Sequence, residues 1–182
     1  MILPISIYGS PILRAENVDI DKTCPDVKKL IDDMFATMQA AEGVGLAAPQ
    51  VGRNIRLFVV DLTSWADDDP SVAGFRRAFI NPEIYWSSEE TGLYNEGCLS
   101  LPGLHEDVSR PLVIRMRYLD ENFVPHDEEF DGRPARVIQH EYDHLEGIVF
   151  TDRLSPLRRT LLKSKLVGFT KGKYKASYRT KS

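Results

Sequence analysis

Three residues of His140-Glu141-Tyr142-Asp143-His144 can do chemistry together if that stretch is helical. Positions i and i+4 of a helix lie one above the other, so two imidazoles there can share one metal ion. The residue after the first histidine then points at whatever the ion holds, and a glutamate in that place suits general-base work. No third ligand is evident downstream: no histidine follows His144, and the only later acids are Glu146 and Asp152. Upstream, Cys98 stands in Glu96-Gly97-Cys98-Leu99-Ser100, between a predicted strand and Pro102-Gly103. A lone cysteine is most often a small buried hydrophobe. A thiolate with two imidazoles, however, leaves one position of a tetrahedral site open, as a hydrolytic centre requires, and Gly97 permits a close backbone approach.

A metal held this way makes water acidic, and Glu141 can take that proton, orient the nucleophile and pass the proton to a leaving amine. The carbonyl under attack would be amide-like. Its oxyanion needs donors besides the metal, and the Leu99 backbone N–H and the Gln50 carboxamide are the candidates. Two other readings use the same residues. In a cysteine hydrolase, Cys98 is the nucleophile and one histidine its base, which leaves the second histidine and Glu141 without roles. In a non-catalytic binding protein the metal is structural; such sites close with four protein ligands, and no fourth is evident.

Elements must position these groups. Val27, Leu30, Ile31, Met34, Phe35, Met38 and Ala41 repeat at helical spacing, predicting an amphipathic helix over residues 25–41 that Thr23 can cap. Gly43 and Gly45 end it, and a glycine loop leads into a strand over 56–62. Residues 78–86, interrupted at Asn81-Pro82, read as an edge or bulged strand. Leu112, Ile114, Met116 and Tyr118 alternate with Val113, Arg115 and Arg117, and Asp120-Glu121-Asn122 turns the chain into Phe123-Val124, a hairpin signal. Asp131 can cap the histidine helix, which ends near Gly147. Ser155-Pro156 opens a last helix with Leu157, Leu161, Leu162 and Leu166 as its stripe. Strands first and helices late predict a single α+β domain, with antiparallel sheets around a central metal-binding helix, an N-terminal amphipathic helix and a C-terminal helix.

The chain has 182 residues, 42% hydrophobic and 27% charged, the balance of one soluble globular domain. It lacks both a membrane-length apolar run and a signal-peptide pattern, which leads us to expect a cytoplasmic protein. Its two cysteines are too few for a disulfide scaffold or a four-cysteine zinc site. A net charge of −4 excludes a generally basic nucleic-acid binder. That average hides a gradient: residues 153–182 hold ten Lys or Arg and no acid, which leaves 13 basic against 27 acidic residues, net −14, before them. We expect residues 1–170 to form the catalytic domain and 171–182 a basic, flexible tail.

Three segments together resemble the peptide deformylase family: Gly43-Val44-Gly45-Leu46-Ala47-Ala48-Pro49-Gln50, then Glu96-Gly97-Cys98-Leu99-Ser100, then Gln139-His140-Glu141-Tyr142-Asp143-His144-Leu145-Glu146-Gly147. The ordered trio is specific where each alone is weak, and the resemblance runs from Gly9-Ser10-Pro11-Ile12-Leu13-Arg14 to Leu154-Ser155-Pro156. It implies a hydrolase that removes the formyl group from N-formylmethionyl nascent peptides, releasing formate. It implies Cys98, His140 and His144 as metal ligands, iron(II) as the metal with zinc common after air exposure, and Glu141 as general acid/base. Gln50 and the Leu99 backbone match the family's oxyanion contacts, and Gly45 its substrate-binding backbone. Val44, Tyr94 and Val137 fall where the family lines its methionine pocket. Arg110 matches a family arginine that can pair with Glu96 or Asp143 and brace the ligand loop. Two departures stand out. Leu104-His105 occupies the neighbourhood where many bacterial members carry an arginine at the cleft mouth, and Arg133 and Arg136 stand where apolar residues are common. An enzyme acting on nascent chains also gains from its basic C-terminus, which would turn towards ribosomal RNA without reading sequence.

Overall fold

The computed structural model describes residues 1–182. A five-stranded antiparallel sheet runs in the order β2-β3-β4-β7-β8, that is Gly45–Ala47, Leu57–Asp61, Arg76–Ser87, Ile114–Leu119 and Pro125–Phe130. Period-two alternation decides what covers each face. Leu57 and Val59 of β3 join Leu46, Ala78 and Ile80 on the face that α1 (Val27–Ala40) covers with Leu30, Ile31, Met34 and Met38. Phe58 and Val60 turn the other way and meet Phe79, Met116, Val137 and Ile138, the last two from α2 (Gly132–Leu145). Burial on both sides explains why β3 is apolar along nearly all its length.

Strands β5 (Thr91–Cys98) and β6 (Leu101–Pro111) form a separate antiparallel hairpin. Its Leu101, Leu104 and Val108 pack with Ile7, Phe150 and two residues of α3 (Pro156–Thr170), Leu162 and Phe169. The hairpin also meets α2: Arg136 donates to the Val108 carbonyl at 2.9 Å, and Gln139 to that of Pro111 at 2.9 Å. Held between sheet and hairpin, α2 buries Arg136, His140, Glu141, Asp143 and His144 along with its apolar residues, so these polar groups need partners inside the protein.

The α+β architecture is the one the sequence predicts, but several details differ. Thr23 does not cap α1; its hydroxyl donates to Asp21, and Asp26, in the left-handed region, precedes the helix. β4 is bulged as expected yet internal, flanked by β3 and β7. Its register shifts between Ile80 and Glu83, so Pro82, which has no N–H, falls where the ladder is already broken. The glycine loop contains a short strand, β2. In α3 the leucine stripe is half outside: Leu162 is buried and Leu166 partly so, whereas Leu157 and Leu161 are 72% and 64% exposed. Residues 171–182 are packed rather than loose. β9 (Thr180–Lys181) pairs in parallel with β1 (Ile5–Ser6), and Ile5 and Ile7 donate to the Arg179 and Lys181 carbonyls at 2.9 Å. Tyr174 and Tyr178 pack against two different apolar clusters, giving the segment a hold that its lack of local periodicity conceals.

Candidate metal centre

Arg136, His140 and His144 stand at i, i+4 spacing on α2, on the side away from the sheet. Cys98 ends β5, where the pairing register shifts between Gly97 and Cys98. Strand end and helix bring the Cys98 Sγ, His140 and His144 donor atoms within 4.8 Å of one another, with Sγ 3.4 Å from His144 Nε2. Metal–ligand bonds of 2.0–2.3 Å set tetrahedral donors roughly 3.3–3.8 Å apart, so this trio fits a divalent ion after small adjustments. Burial holds His144 below the ordinary histidine range, in the neutral form that ligates; at His140 burial also acts downward, but the contacts with Cys98 and Glu96 outweigh it and raise the group.

A charge network braces the trio. His140 Nδ1 lies 2.9 Å from Glu96 Oε1. A proton on that nitrogen leaves Nε2 free to ligate. Burial alone would raise the Glu96 carboxyl, but His140 and Arg110 outweigh it and hold it at about 2. Arg110 grips both Glu96 oxygens, at 2.7 and 3.0 Å, and reaches Asp143 at 2.8 Å. Arg153 binds the same Asp143 at 2.5 and 2.6 Å. The alternatives read from sequence, Glu96 or Asp143, are therefore both realised. Arg136 adds a 3.0 Å contact to Glu96 and lies over the Tyr94 ring. Buried although it lines the cavity beside these groups, it belongs to the network, a role its local sequence does not signal. Arg133 instead lies over Trp65.

Glu141 Oε2 is buried without a partner. Burial pushes this carboxyl up to about 7, in the range where a group can both take and give a proton. A Cβ on Gly45 would come within 2.6 Å of Glu141 Oε1, so only glycine lets the loop backbone pass this close. Gln50 Oε1 accepts from the Ala47 N–H at 2.9 Å, which aims its Nε2 towards Ser100 Oγ at 3.0 Å and Cys98 Sγ at 3.6 Å.

A cavity of about 490 Å³ opens over these groups. Val44, Gly45, Gln50, Tyr94, Cys98, Leu99, Val137, His140 and Glu141 all line it, while His144, only 1% exposed, lies beneath. Leu104 and His105 are at the same opening. Sequence reasoning missed Ser100, although it sits in the cysteine motif, and the C-terminal residues Lys175–Tyr178, which also line the cavity.

A family model described as polypeptide deformylase matches residues 2–160. The peptide deformylase of Cytophaga hutchinsonii is 51% identical over 181 residues, covering 100% of this chain and 97% of that one. That of Christiangramia forsetii is 48% identical over 98% of this chain and 95% of its own. Among solved structures, the peptide deformylase from Thermus thermophilus superposes with a TM-score of 0.83 at 41% identity, over 94% of this chain and 99% of that one. The Legionella pneumophila enzyme gives 0.81 at 36%, over 94% and 96%.

Proposed function

Because the chain belongs to the peptide deformylase family, we propose that Cys98, His140 and His144 hold its metal ion and that Glu141, Gln50 and the Leu99 N–H carry the hydrolysis. The enzyme is a metal-dependent hydrolase that removes the N-formyl group from nascent polypeptides. One observation carries the residue assignment: a thiol and two imidazoles converge within 4.8 Å beside a buried carboxylate oxygen that has no partner. When bound, a divalent ion supplies Lewis acidity, polarising a carbonyl oxygen and making water acidic near neutral pH. Glu141 takes the proton of the attacking water and delivers it to the departing amine nitrogen, so its carboxylate passes through the acid form once per turnover. Gln50 Nε2 and the Leu99 N–H donate to the formyl oxygen as it gains negative charge. The Gly45 backbone aligns the peptide, and Val44, Tyr94 and Val137 surround the methionine side chain. Formate and a free amine leave.

One thiolate with two imidazoles accepts zinc, iron(II), nickel or cobalt. Iron(II) is the reading we favour, on the family resemblance, with zinc replacing it in air. No helix is long and apolar enough to cross a membrane, and nascent chains as substrate favour work in the cytoplasm. Ribosome contact is supported by the ten cations of residues 153–182 against an acidic body. Removing residues 171–182 is a poor test of it, because Lys175–Tyr178 line the cavity; reversing Arg159 and Lys163 on the exposed side of α3 is a cleaner one, read by salt-dependent co-sedimentation with ribosomes.

Anaerobic purification, metal analysis and formate release from a formyl-methionyl peptide test the site. We expect one ion per chain, activity abolished by a chelator, and Cys98→Ser losing metal before fold. Activity that survives metal removal would overturn the assignment and leave Cys98 as a nucleophile.

A further inference from the structure

Lys175 to Tyr178 line the same cavity as Gly45, Cys98 and Glu141. The Tyr178 hydroxyl donates to the Leu99 carbonyl at 2.6 Å, and its ring packs against the apolar cluster that Leu99 also joins. One residue on, the Ser100 carbonyl accepts from the Tyr8 N–H at 2.8 Å, while Ser100 Oγ accepts from Gln50 Nε2 at 3.0 Å. Tyr8 follows directly on Ile7, whose N–H donates to the Lys181 carbonyl at 2.9 Å. The two ends of the chain are thus tied to each other, and together they grip two consecutive carbonyls of the loop that begins at Cys98.

We propose that Tyr178 is a positioning residue for deformylation, fixing the Leu99 carbonyl and through it the aim of the Leu99 N–H and the spacing of the cysteine loop from Gln50. The N–H and C=O of Leu99 share one Cα, so anchoring the carbonyls of residues 99 and 100 restricts the rotation that would swing the N–H away. A donor that already points at the developing charge needs no reorganisation during reaction, and that is where such donors gain their effect. Burial raises the Tyr178 pKa, so its hydroxyl stays a donor throughout the working range. The inference rests on the assignment of Leu99 and Gln50 as oxyanion donors.

The test uses metal-loaded enzyme and a formyl-methionyl peptide. Tyr178→Phe removes one oxygen and keeps the ring packing. It is expected to lower kcat about tenfold, with KM within about twofold and one metal per chain retained. Tyr174→Phe, which breaks a 2.9 Å hydroxyl contact with Thr180 elsewhere in the segment, is expected to keep the parent kcat. An unchanged kcat in Tyr178→Phe, or an equal loss in both tyrosine variants, would overturn the inference. Gln50→Ala in parallel separates the two levels. If Gln50→Ala keeps the parent kcat, the oxyanion assignment fails and takes the inference with it; if it loses kcat while Tyr178→Phe does not, only the role of Tyr178 fails.

Discussion

Helices α2 and α3 have 14 and 15 residues and both carry several charges, yet one lies inside the protein and the other on it. The charges on α2 are of both signs, and two of them find opposite partners inside: Arg136 meets Glu96, and Asp143 meets Arg110 and Arg153, whereas Arg133 lies over Trp65 and Glu141, which burial pushes towards its neutral form, keeps one oxygen unpartnered. Those on α3, Arg158, Arg159, Lys163 and Lys165, are all positive, and α3 buries only Leu162 and Phe169. A lone charge is too costly to bury, whereas a set that neutralises and hydrogen-bonds itself can be. Burial also means that fields around Glu141 and the two histidines act at lower dielectric there than at the surface.

The most direct way to break this contrast is Arg110→Leu, which leaves Glu96 and Asp143 short of their shared partner. It should cost roughly 3–5 kcal/mol in chemical denaturation of metal-loaded protein. A loss under about 1 kcal/mol, the scale of exposed pairs, would mean that Arg136 and Arg153 suffice and that α2 is no more dependent on its pairs than α3. Next in size, Glu141→Gln keeps shape but cannot shuttle the proton. Turnover should fall at least about 100-fold, near 2.7 kcal/mol, with metal content unchanged. Near-normal turnover in a metal-replete variant would take the chemistry off α2. Val137 makes α2 part of the pocket wall as well, so a formyl-alanyl peptide should react more poorly than formyl-methionyl by about 1–3 kcal/mol in kcat/KM. Equal values would rule out an apolar pocket there. The smallest effect belongs to α3. Arg158→Ala breaks a surface pair with Glu106, at 2.6 Å, and should lower the denaturation midpoint far less than Arg110→Leu does and leave kcat alone.

Much of the candidate site is legible in the sequence because its parts are local. His140 and His144 are tied by helix geometry, Glu141 by adjacency, and Gly45 and Gln50 by a short loop. The apolar periods of α1 and β3 likewise announce which faces are covered. Arg136 was harder to read, since an arginine on a helix looks solvated until its partners at Glu96 and the Val108 and Gly92 carbonyls are known. Leucines at helical spacing on α3 predicted a buried stripe that the structure leaves half outside. Spacing defines a face but not whether anything covers it.

The sequence by itself determined the element types, the histidine pair with its glutamate, and the charge gradient along the chain, because helix period, strand period and composition are short-range properties. Tertiary structure alone decided that β4 is internal, and it turned two expectations into geometry: Cys98 meets the histidines, and Arg110 holds Glu96 and Asp143 at once. It also decided that the C-terminal strand returns to β1 and brings Tyr178 to Leu99. Each of these joins residues far apart in the chain, and such contacts form only when burial of the apolar faces offsets the entropy of closing the loops between them.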